Sequence, residues 1–443
     1  MANSVQGPKG TRDFYPQEMA FQQYIFDAWH AACRKWGFEQ YEGPMFEHLE
    51  VYTQKSGGEI EKQLYAFEDK AGRKIALRPE LTPTLARMVA AGGTNLKRPV
   101  RWYSISRLFR YEKMQKGRLR EFIQLNMDIL GMDGAAADAE LIAASIDMMK
   151  TFGFTHEDFK VRISSRMLLE ELFLQIGVDR DQLKPLYALL DKKNKIGNEA
   201  FTGELSGIIT DSEICVKITD LFNCKTIAEI EKTGGNTDLN SLNQLKKLFS
   251  LLGDYGFSDY AVFDIGIVRG LAYYTGTVFE LFDVKGDLRA IAGGGRYDNL
   301  VKLYGGPQTP AVGFAAGDVV LAELLKSKKI TPPYPPRSDV FIISIDEGAY
   351  ESTIRTARIL RENNISCEFS LKENQNIGKQ LKLANDARSR FALFIGGDEA
   401  KQGKMRLKNL VDGKEELVEA DEIASALILV HGINLHCTAR SCT

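Results

Sequence analysis

Two long apolar runs, Val100–Tyr111 and Glu121–Ile129, are separated only by the polar segment Glu112–Arg120. Such runs read as strands, and so short a link makes them an antiparallel pair with a charged connecting loop. An antiparallel sheet is therefore expected in the first 160 residues, in place of a parallel Rossmann sheet. Arg107, Arg110, Lys113, Lys116, Arg118 and Arg120 fall within fourteen positions of this pair. In an ordinary hairpin these charges would be solvated. Here they begin on an apolar strand, where an arginine must be paired or must bind an anion. An arginine on a rigid strand beside a flexible cationic loop suits a phosphate ligand together with a nucleic-acid backbone.

The flanking pattern is mixed. Phe21, Tyr24, Ile25, Ala28, Trp29, Ala32 and Trp36 recur at helical spacing, so a helix is expected over Gln17–Trp36, stopped by Gly37. Leu64–Glu68 and Lys74–Leu77 flank Asp69-Lys70-Ala71-Gly72 as a hairpin. Helices are expected at Thr84–Ala91 and Ala136–Lys150. Residues 165–252 are leucine-rich and helical by pattern, and strands resume at Tyr260–Ile267, Thr277–Phe282 and Leu288–Ala292, so the helical stretch reads as an insertion within one sheet. Thr331-Pro332-Pro333-Tyr334-Pro335-Pro336 is a stiff linker. Beyond it strand and helix alternate, with a hairpin at Asp412-Gly413, as in an α/β domain of about 100 residues. The expected division is a catalytic domain of 1–162 and 254–328, a helical insertion of 163–253, a linker of 329–336 and a C-terminal domain of 337–443.

Composition excludes several classes. With 443 residues, 44% hydrophobic and 26% charged, the chain can bury a sizeable core. Its net charge of −2 gives no global basic excess, so nucleic acid would be met through local patches. Six scattered cysteines without a C-x-x-C pair and five histidines without H-x-x-x-H make a structural metal site or a disulfide framework unexpected, and the reduced thiols suit the cytoplasm. Cys437 and Cys442 are the one pair that could oxidise. The polar N-terminus lacks a signal-like apolar region, and no run of 18 apolar residues occurs, so no membrane segment is expected. Neither a P-loop nor a Rossmann G-x-G-x-x-G is present. Lys113-Met114-Gln115-Lys116-Gly117 faintly resembles the lysine loop of class I synthetases, but the matching His-Ile-Gly-His is missing.

Phe109-Arg110-Tyr111-Glu112, its loop, and Arg120-Glu121-Phe122 resemble motif 2 of class II aminoacyl-tRNA synthetases. Gly43-Pro44-Met45-Phe46-Glu47 resembles their dimer-forming motif 1. The segments Ile267–Gly276 and Ala292–Asp298 resemble those peculiar to histidyl-tRNA synthetases and their paralogues, as do Lys9–Asp13 and Leu77–Pro83. The resemblance spans about residues 8–430. It implies an α+β catalytic domain with an antiparallel sheet flanked by helices, a helical insertion and an α/β anticodon-binding domain. The implied activity joins L-histidine to tRNA(His) through an adenylate made from ATP with Mg²⁺, in a homodimer, with AMP and diphosphate as products.

The resemblance also implies site residues. Arg110 and Arg269 would grip the ATP α-phosphate and the substrate carboxylate, with Gly270 allowing close approach. Glu112 would bond the adenine amino group and Phe122 stack on adenine. Glu80 and Thr82 would take the α-amino group; Leu81, Gln124, Asp128, Tyr273 and Tyr274 would complete the histidine pocket. Lys113, Gln115, Lys116 and Arg118 would meet the tRNA acceptor stem. No resident metal is implied. A lone Phe122 would otherwise be read as core packing, and Tyr273-Tyr274 as a strand aromatic pair.

The chain departs from the family pattern at four places. Val320 stands where the third class II motif carries an arginine that touches ATP. Another cation substitutes, Mg²⁺ carries more of the charge, or the ATP site is weakened. Ala272 replaces a frequent Asp, Asp128 is one methylene shorter than the usual Glu, and Lys113-Met114 replaces Arg-Pro. The alternatives are a non-catalytic paralogue such as the regulatory subunit of ATP phosphoribosyltransferase, another class IIa synthetase, or an accessory subunit in DNA replication. Arg110, Arg269, the intact loop and the C-terminal α/β domain argue against the first, and the Arg269–Tyr274 segment against the second. Glu80, Thr82 and Gln124 argue against the third.

Overall fold

The computed structural model describes residues 5–53, 62–190, 192–233, 239–269, 273–286 and 288–429. It divides into two compact units, residues 1–332 and 333–443, and the boundary falls inside the proline run.

The first unit is organised on one large mixed sheet. Its strands are β1 (Glu39–Gln40), β5 (Val100–Phe109), β6 (Glu121–Leu130), β7 (Phe159–Ser165), β8 (Ala261–Phe263), β9 (Thr277–Asp283), β10 (Ala292–Arg296) and β11 (Ala311–Gly317). Their spatial order is β1-β5-β6-β11-β10-β9-β7-β8. Only the outermost pairs, β1–β5 and β7–β8, run parallel. The expected antiparallel pair is the long β5–β6 ladder, in register from Val100 opposite Leu130 to Phe109 opposite Glu121. A smaller sheet of β2 (Phe46–His48), β3 (Ala66–Glu68) and β4 (Lys74–Leu77) contains the expected hairpin.

Alternation along β6 decides what faces what. A strand sends successive side chains to opposite faces. Ile123, Leu125, Met127 and Ile129 enter the main apolar core, which they share with Ile25, Trp29 and Ala32 of helix Pro16–Lys35 and with Leu141 and Ile142 of helix Ala135–Thr151. Phe122, Gln124, Asn126 and Asp128 consequently lie on the other face. The helices back the sheet, and its front is left for polar chemistry.

The structure moves two expected elements. Residues 159–165 form a strand that was assigned to no element, although Phe159, Val161 and Ile163 alternate with Lys160 and Arg162. Leaving from Ser165, whose side chain accepts the Leu168 N–H, a run of helices among the described residues from Arg166 to Asp254 returns to β8 beside β7. A strand was expected over Leu288–Ala292, with Gly293-Gly294-Gly295 after it allowing a backbone to pack close to substrate or to another strand. The strand is Ala292–Arg296, with Gly293, Gly294 and Gly295 inside an unbroken antiparallel ladder between β9 and β11. A Cβ on Gly294 would lie 2.1 Å from the Gly313 carbonyl oxygen, so only glycine lets these strands close.

The second unit has strands β12 (Val340–Ser344), β13 (Cys367–Phe369), β14 (Phe391–Ile395), β15 (Lys404–Asn409) and β16 (Glu415–Glu419), ordered β13-β12-β14-β15-β16. The first three are parallel and the last two form the expected hairpin. Helices Ala349–Glu362 and Ile377–Asp386 connect them as the alternating pattern required. Cys437 and Cys442 lie outside the described residues, as do Gly270 and Ala272.

Candidate active site

The front of the sheet is framed by arginines that are already committed. Arg78 donates through Nη1 to Glu42 Oε1 at 2.5 Å and to the Gly43 carbonyl at 2.9 Å, and through Nε to the Arg107 carbonyl at 2.9 Å. Arg12 donates to Asp318 Oδ2 at 2.6 Å, while Asp318 Oδ1 accepts the Ile123 N–H at 2.9 Å. Arg296 is buried and donates to Asp138 at 2.5 and 3.0 Å, with Asp298 at 3.1 Å. Removing one partner of such a pair strands a buried charge and costs about 3–5 kcal/mol. These residues are tied into the frame by their own ion pairs and hydrogen bonds.

A different set of arginines faces a cavity of about 790 Å³. Arg110, Glu112, Gln115, Arg118, Phe122, Gln124, Arg269 and Arg289 line it. Arg110 follows β5; its Nε donates to the Pro79 carbonyl at 2.8 Å and its guanidinium lies 5.3 Å from the Phe122 ring centre. Arg269 enters from the opposite segment with a left-handed φ of 49°, a conformation uncommon outside glycine. Its Nη1 lies 3.4 Å from Glu280 Oε1, and its guanidinium 5.7 Å from the Tyr274 ring centre. A Cβ on Gly293 would fall 1.6 Å from that Nη1, so the bare backbone of β10 is the space Arg269 occupies.

The connecting loop is a narrow turn. Gln115 and Arg118 exchange backbone hydrogen bonds at 3.3 and 2.9 Å, closed by Gly117 at a φ of 75°. Lys113, Gln115, Lys116 and Arg118 are exposed, as a surface meeting nucleic acid requires. Arg118 differs from the lysines: it turns into the cavity and pairs with Glu112 at 2.6 Å.

A compact polar cluster stands with these arginines on the sheet front. Glu80 is buried; Oε2 accepts the Tyr273 hydroxyl at 2.8 Å and Oε1 has no partner. Burial pushes its carboxyl up, opposed by Arg110, the Tyr273 bond and Arg269. Thr82 stands beside the Tyr273 hydroxyl. Asp128 is buried as deeply. Its Oδ1 accepts the Tyr297 hydroxyl at 2.6 Å, and Oδ2 has no partner. Burial pushes this carboxyl to about 7, with the Tyr297 bond a smaller, opposing effect. Unpartnered buried acceptors are costly and rare, and they mark where a ligand's donors belong. Tyr273 and Tyr274 sit between these carboxylates and Arg269, ring centres 5.1 Å apart. Leu81 does not join the cluster. Its side chain is fully buried in an apolar group with Leu85, Tyr274 and Val278, and its carbonyl accepts the Leu85 N–H, so it packs the pocket wall.

The family model for histidyl-tRNA synthetase matches residues 10–318, and that for an anticodon binding domain matches residues 339–428. The chain belongs to the histidyl-tRNA synthetase family. It is 41% identical to the histidine–tRNA ligase of Opitutus terrae over 95% of this chain and 97% of that one. It is 36% identical to the chloroplastic/mitochondrial histidine–tRNA ligase of Arabidopsis thaliana, covering 95% of this chain and 86% of that one. Among solved structures, histidyl-tRNA synthetase from Nostoc sp. PCC 7120 superposes with a TM-score of 0.79 at 26% identity, over 96% of this chain and 99% of that one. The mixed sheet, its backing helices and the C-terminal unit fit the class II fold of the histidyl-tRNA synthetases.

Within this histidyl-tRNA synthetase frame the structure adds residues that sequence reasoning passed over. Tyr297, in the segment quoted for the family, holds Asp128 from 169 positions away. Gly313 lies opposite Asp128, and a Cβ there would sit 1.8 Å from Asp128 Oδ1. Arg289, in a segment expected to be strand, reaches the cavity as a further cation.

Proposed function

We propose that this protein activates L-histidine with ATP to histidyl-adenylate and transfers the histidyl group to tRNA(His). The observation that carries this reading is the combination of two arginines on a cavity of about 790 Å³ with two buried carboxylates that each keep one unpartnered oxygen. Glu80, with Thr82 and Tyr273, suits an α-ammonium group. Asp128, with Tyr274, suits an imidazole, whose ring N–H can donate to the open Oδ2. The substrate carboxylate then lies toward Arg110 and Arg269. Its oxygen attacks the α-phosphate and diphosphate leaves, while the two guanidiniums stabilise the charge that builds on the phosphoryl oxygens. Phe122 and Glu112 take the adenine. In the second step a ribose hydroxyl at the 3′ end of the tRNA attacks the histidyl carbonyl and releases AMP.

Magnesium arrives on the ATP phosphates in this reading. No cluster of three metal-ligating side chains occurs among the described residues, and magnesium characteristically uses phosphates, water and one or two carboxylates. Loop residues Lys113, Gln115 and Lys116 face the acceptor stem. The C-terminal unit meets the anticodon through Lys372, Lys379 and Lys382, which are exposed. Arg388 bonds the Pro335 carbonyl and stacks 3.9 Å from the Tyr334 ring centre, and Arg390 is half-buried. A homodimer through the Gly43–Glu47 region accords with the exposure of Met45 and Phe46 there; a monomer mass by light scattering at micromolar concentration would refute it. No helix among the described residues is long and apolar enough to cross a membrane, which accords with a cytoplasmic enzyme.

The decisive experiment is ATP–diphosphate exchange with a panel of amino acids. Histidine-dependent exchange is expected. Exchange driven by proline, threonine or glycine would reassign the pocket. No exchange with any amino acid would favour a non-catalytic paralogue, the reading that Val320 encourages.

A further inference from the structure

The cavity wall formed by the start of helix Asp318–Ser327 offers an anion nothing. Val319 and Val320 line it with aliphatic carbon, and both oxygens of Asp318 are consumed by Arg12 and the Ile123 N–H. Next to this wall stands the loop tip. A Cβ on Gly117 would meet Val320 Cγ2 at 3.1 Å and Arg289 Cδ at 3.9 Å, so the loop tip packs between the valine and the arginine stem.

Arg289 is exposed to the cavity. Its Nη2 donates to Gln115 Oε1, and among the described residues it forms no ion pair with a carboxylate. Glu112, the acid whose charge it feels, is already paired with Arg118. Arg118 itself lies near enough that its charge, after desolvation, lowers the proton affinity of Arg289. Two guanidiniums held on one cavity, one with a neutral amide for its partner, repel each other until an anion lies between them.

We propose that Arg289 binds the β- and γ-phosphates of ATP, supplying from the segment before β10 the cation that Val320 cannot supply from the helix. The assignment rests on reading the cavity as the adenylate site, and it extends that reading to the leaving diphosphate. Gln115 holds the guanidinium over the cavity before ATP arrives, so the same loop that faces tRNA also poises the phosphate clamp.

The test compares two ligands on the full-length protein. ATP carries the β- and γ-phosphates; the non-hydrolysable sulfamoyl analogue of histidyl-adenylate carries neither. Arg289→Ala should raise the Kd for ATP by about 10–100-fold, the range of a charge-assisted hydrogen bond. The Kd for the sulfamoyl analogue should stay within about twofold, which also shows that the variant is folded. Arg289→Lys should recover part of the ATP affinity, because the charge returns without the fork. An unchanged ATP Kd overturns the proposal. Equal weakening of both ligands also overturns it, because the arginine would then be a prop for the loop. A wild-type protein that binds ATP but not the analogue refutes the adenylate-site reading on which the proposal stands.

Discussion

Asp128 offers a prediction that separates the energetics of the pocket from its chemistry. Burial holds its carboxyl at about 7, against an ordinary value of 3.8. The sign follows from which state holds the proton. Between these values the folded protein keeps the proton and the unfolded chain has lost it, so stability contributed by this group is present at low pH and is lost as pH rises toward 7. The whole difference is worth roughly 4 kcal/mol, of which about 2.6 kcal/mol falls between pH 5 and pH 8. Asp128→Asn keeps the shape and can still accept from Tyr297, but it carries no charge to bury. A cooperative unit the size of residues 1–332 moves its melting midpoint by about 1.5 °C per kcal/mol. The variant should therefore gain about 4 °C on the wild type as pH rises from 5 to 8, measured by thermal unfolding of both proteins in matched buffers. The same variant should lose histidine activation by about 10–100-fold, since an amide nitrogen replaces the open acceptor. A midpoint gap that stays constant across this range would mean that Asp128 ionises normally and that the pocket is wetter than its geometry implies.

Arg269→Ala should lower diphosphate exchange by about 10²–10³ while changing the apparent affinity for histidine much less, because its charge matters most in the transition state. Gly293→Ala should reproduce part of that defect, since the new methyl would displace the Arg269 guanidinium; exchange at the wild-type rate in Arg269→Ala would remove Arg269 from the mechanism. In the loop, Lys116→Ala should weaken every tRNA alike and flatten the salt dependence of kcat/KM, whereas Gln115→Ala should narrow the gap between cognate tRNA and tRNA altered at its end base pair. Equal slowing of both tRNAs by Gln115→Ala would leave the glutamine only its hold on Arg289. Removing residues 337–443 should damage tRNA charging far more than histidine activation, and equal losses in both assays would assign that segment to folding instead.

The long strand pair was legible because the polar interval between two apolar runs leaves the chain little alternative, and the structure keeps its bounds within two residues. The helical stretch and the alternation after the proline run were legible for the same reason: periodicity is a local property. What failed was local evidence for non-local causes. Three consecutive glycines argue against a strand by propensity, yet β10 is a strand because β9, β11 and the Arg269 guanidinium approach too closely for any side chain. Glu80 and Asp128 are ordinary acids in the sequence, and only the family resemblance singled them out. Their significance becomes physical when burial leaves one oxygen of each without a donor. Arg289 carried no signal, and Tyr297 lay in a family segment without a role, since each acts on a residue more than 160 positions away.

Three buried carboxylates in this unit start from the same penalty and end differently. Asp138, Glu80 and Asp128 are all pushed up by burial. At Asp138 that push is opposed by Arg296 and by Thr277, which donates at 2.6 Å, and its two oxygens are spent. Glu80 and Asp128 are each given one tyrosine hydroxyl and no more. Full satisfaction was within reach of the same chemistry, as Asp138 shows, so the shortfall at the other two is specific to the front of the sheet. In the proposed function the same shortfall would set selectivity. An aliphatic amino acid could offer its ammonium to Glu80 but would leave Asp128 stranded against carbon, and sites that hydrogen-bond a polar side chain reject analogues lacking it by about 10⁴–10⁵. The stability forgone at Asp128 and the discrimination against other amino acids are thus two readings of one unpartnered oxygen.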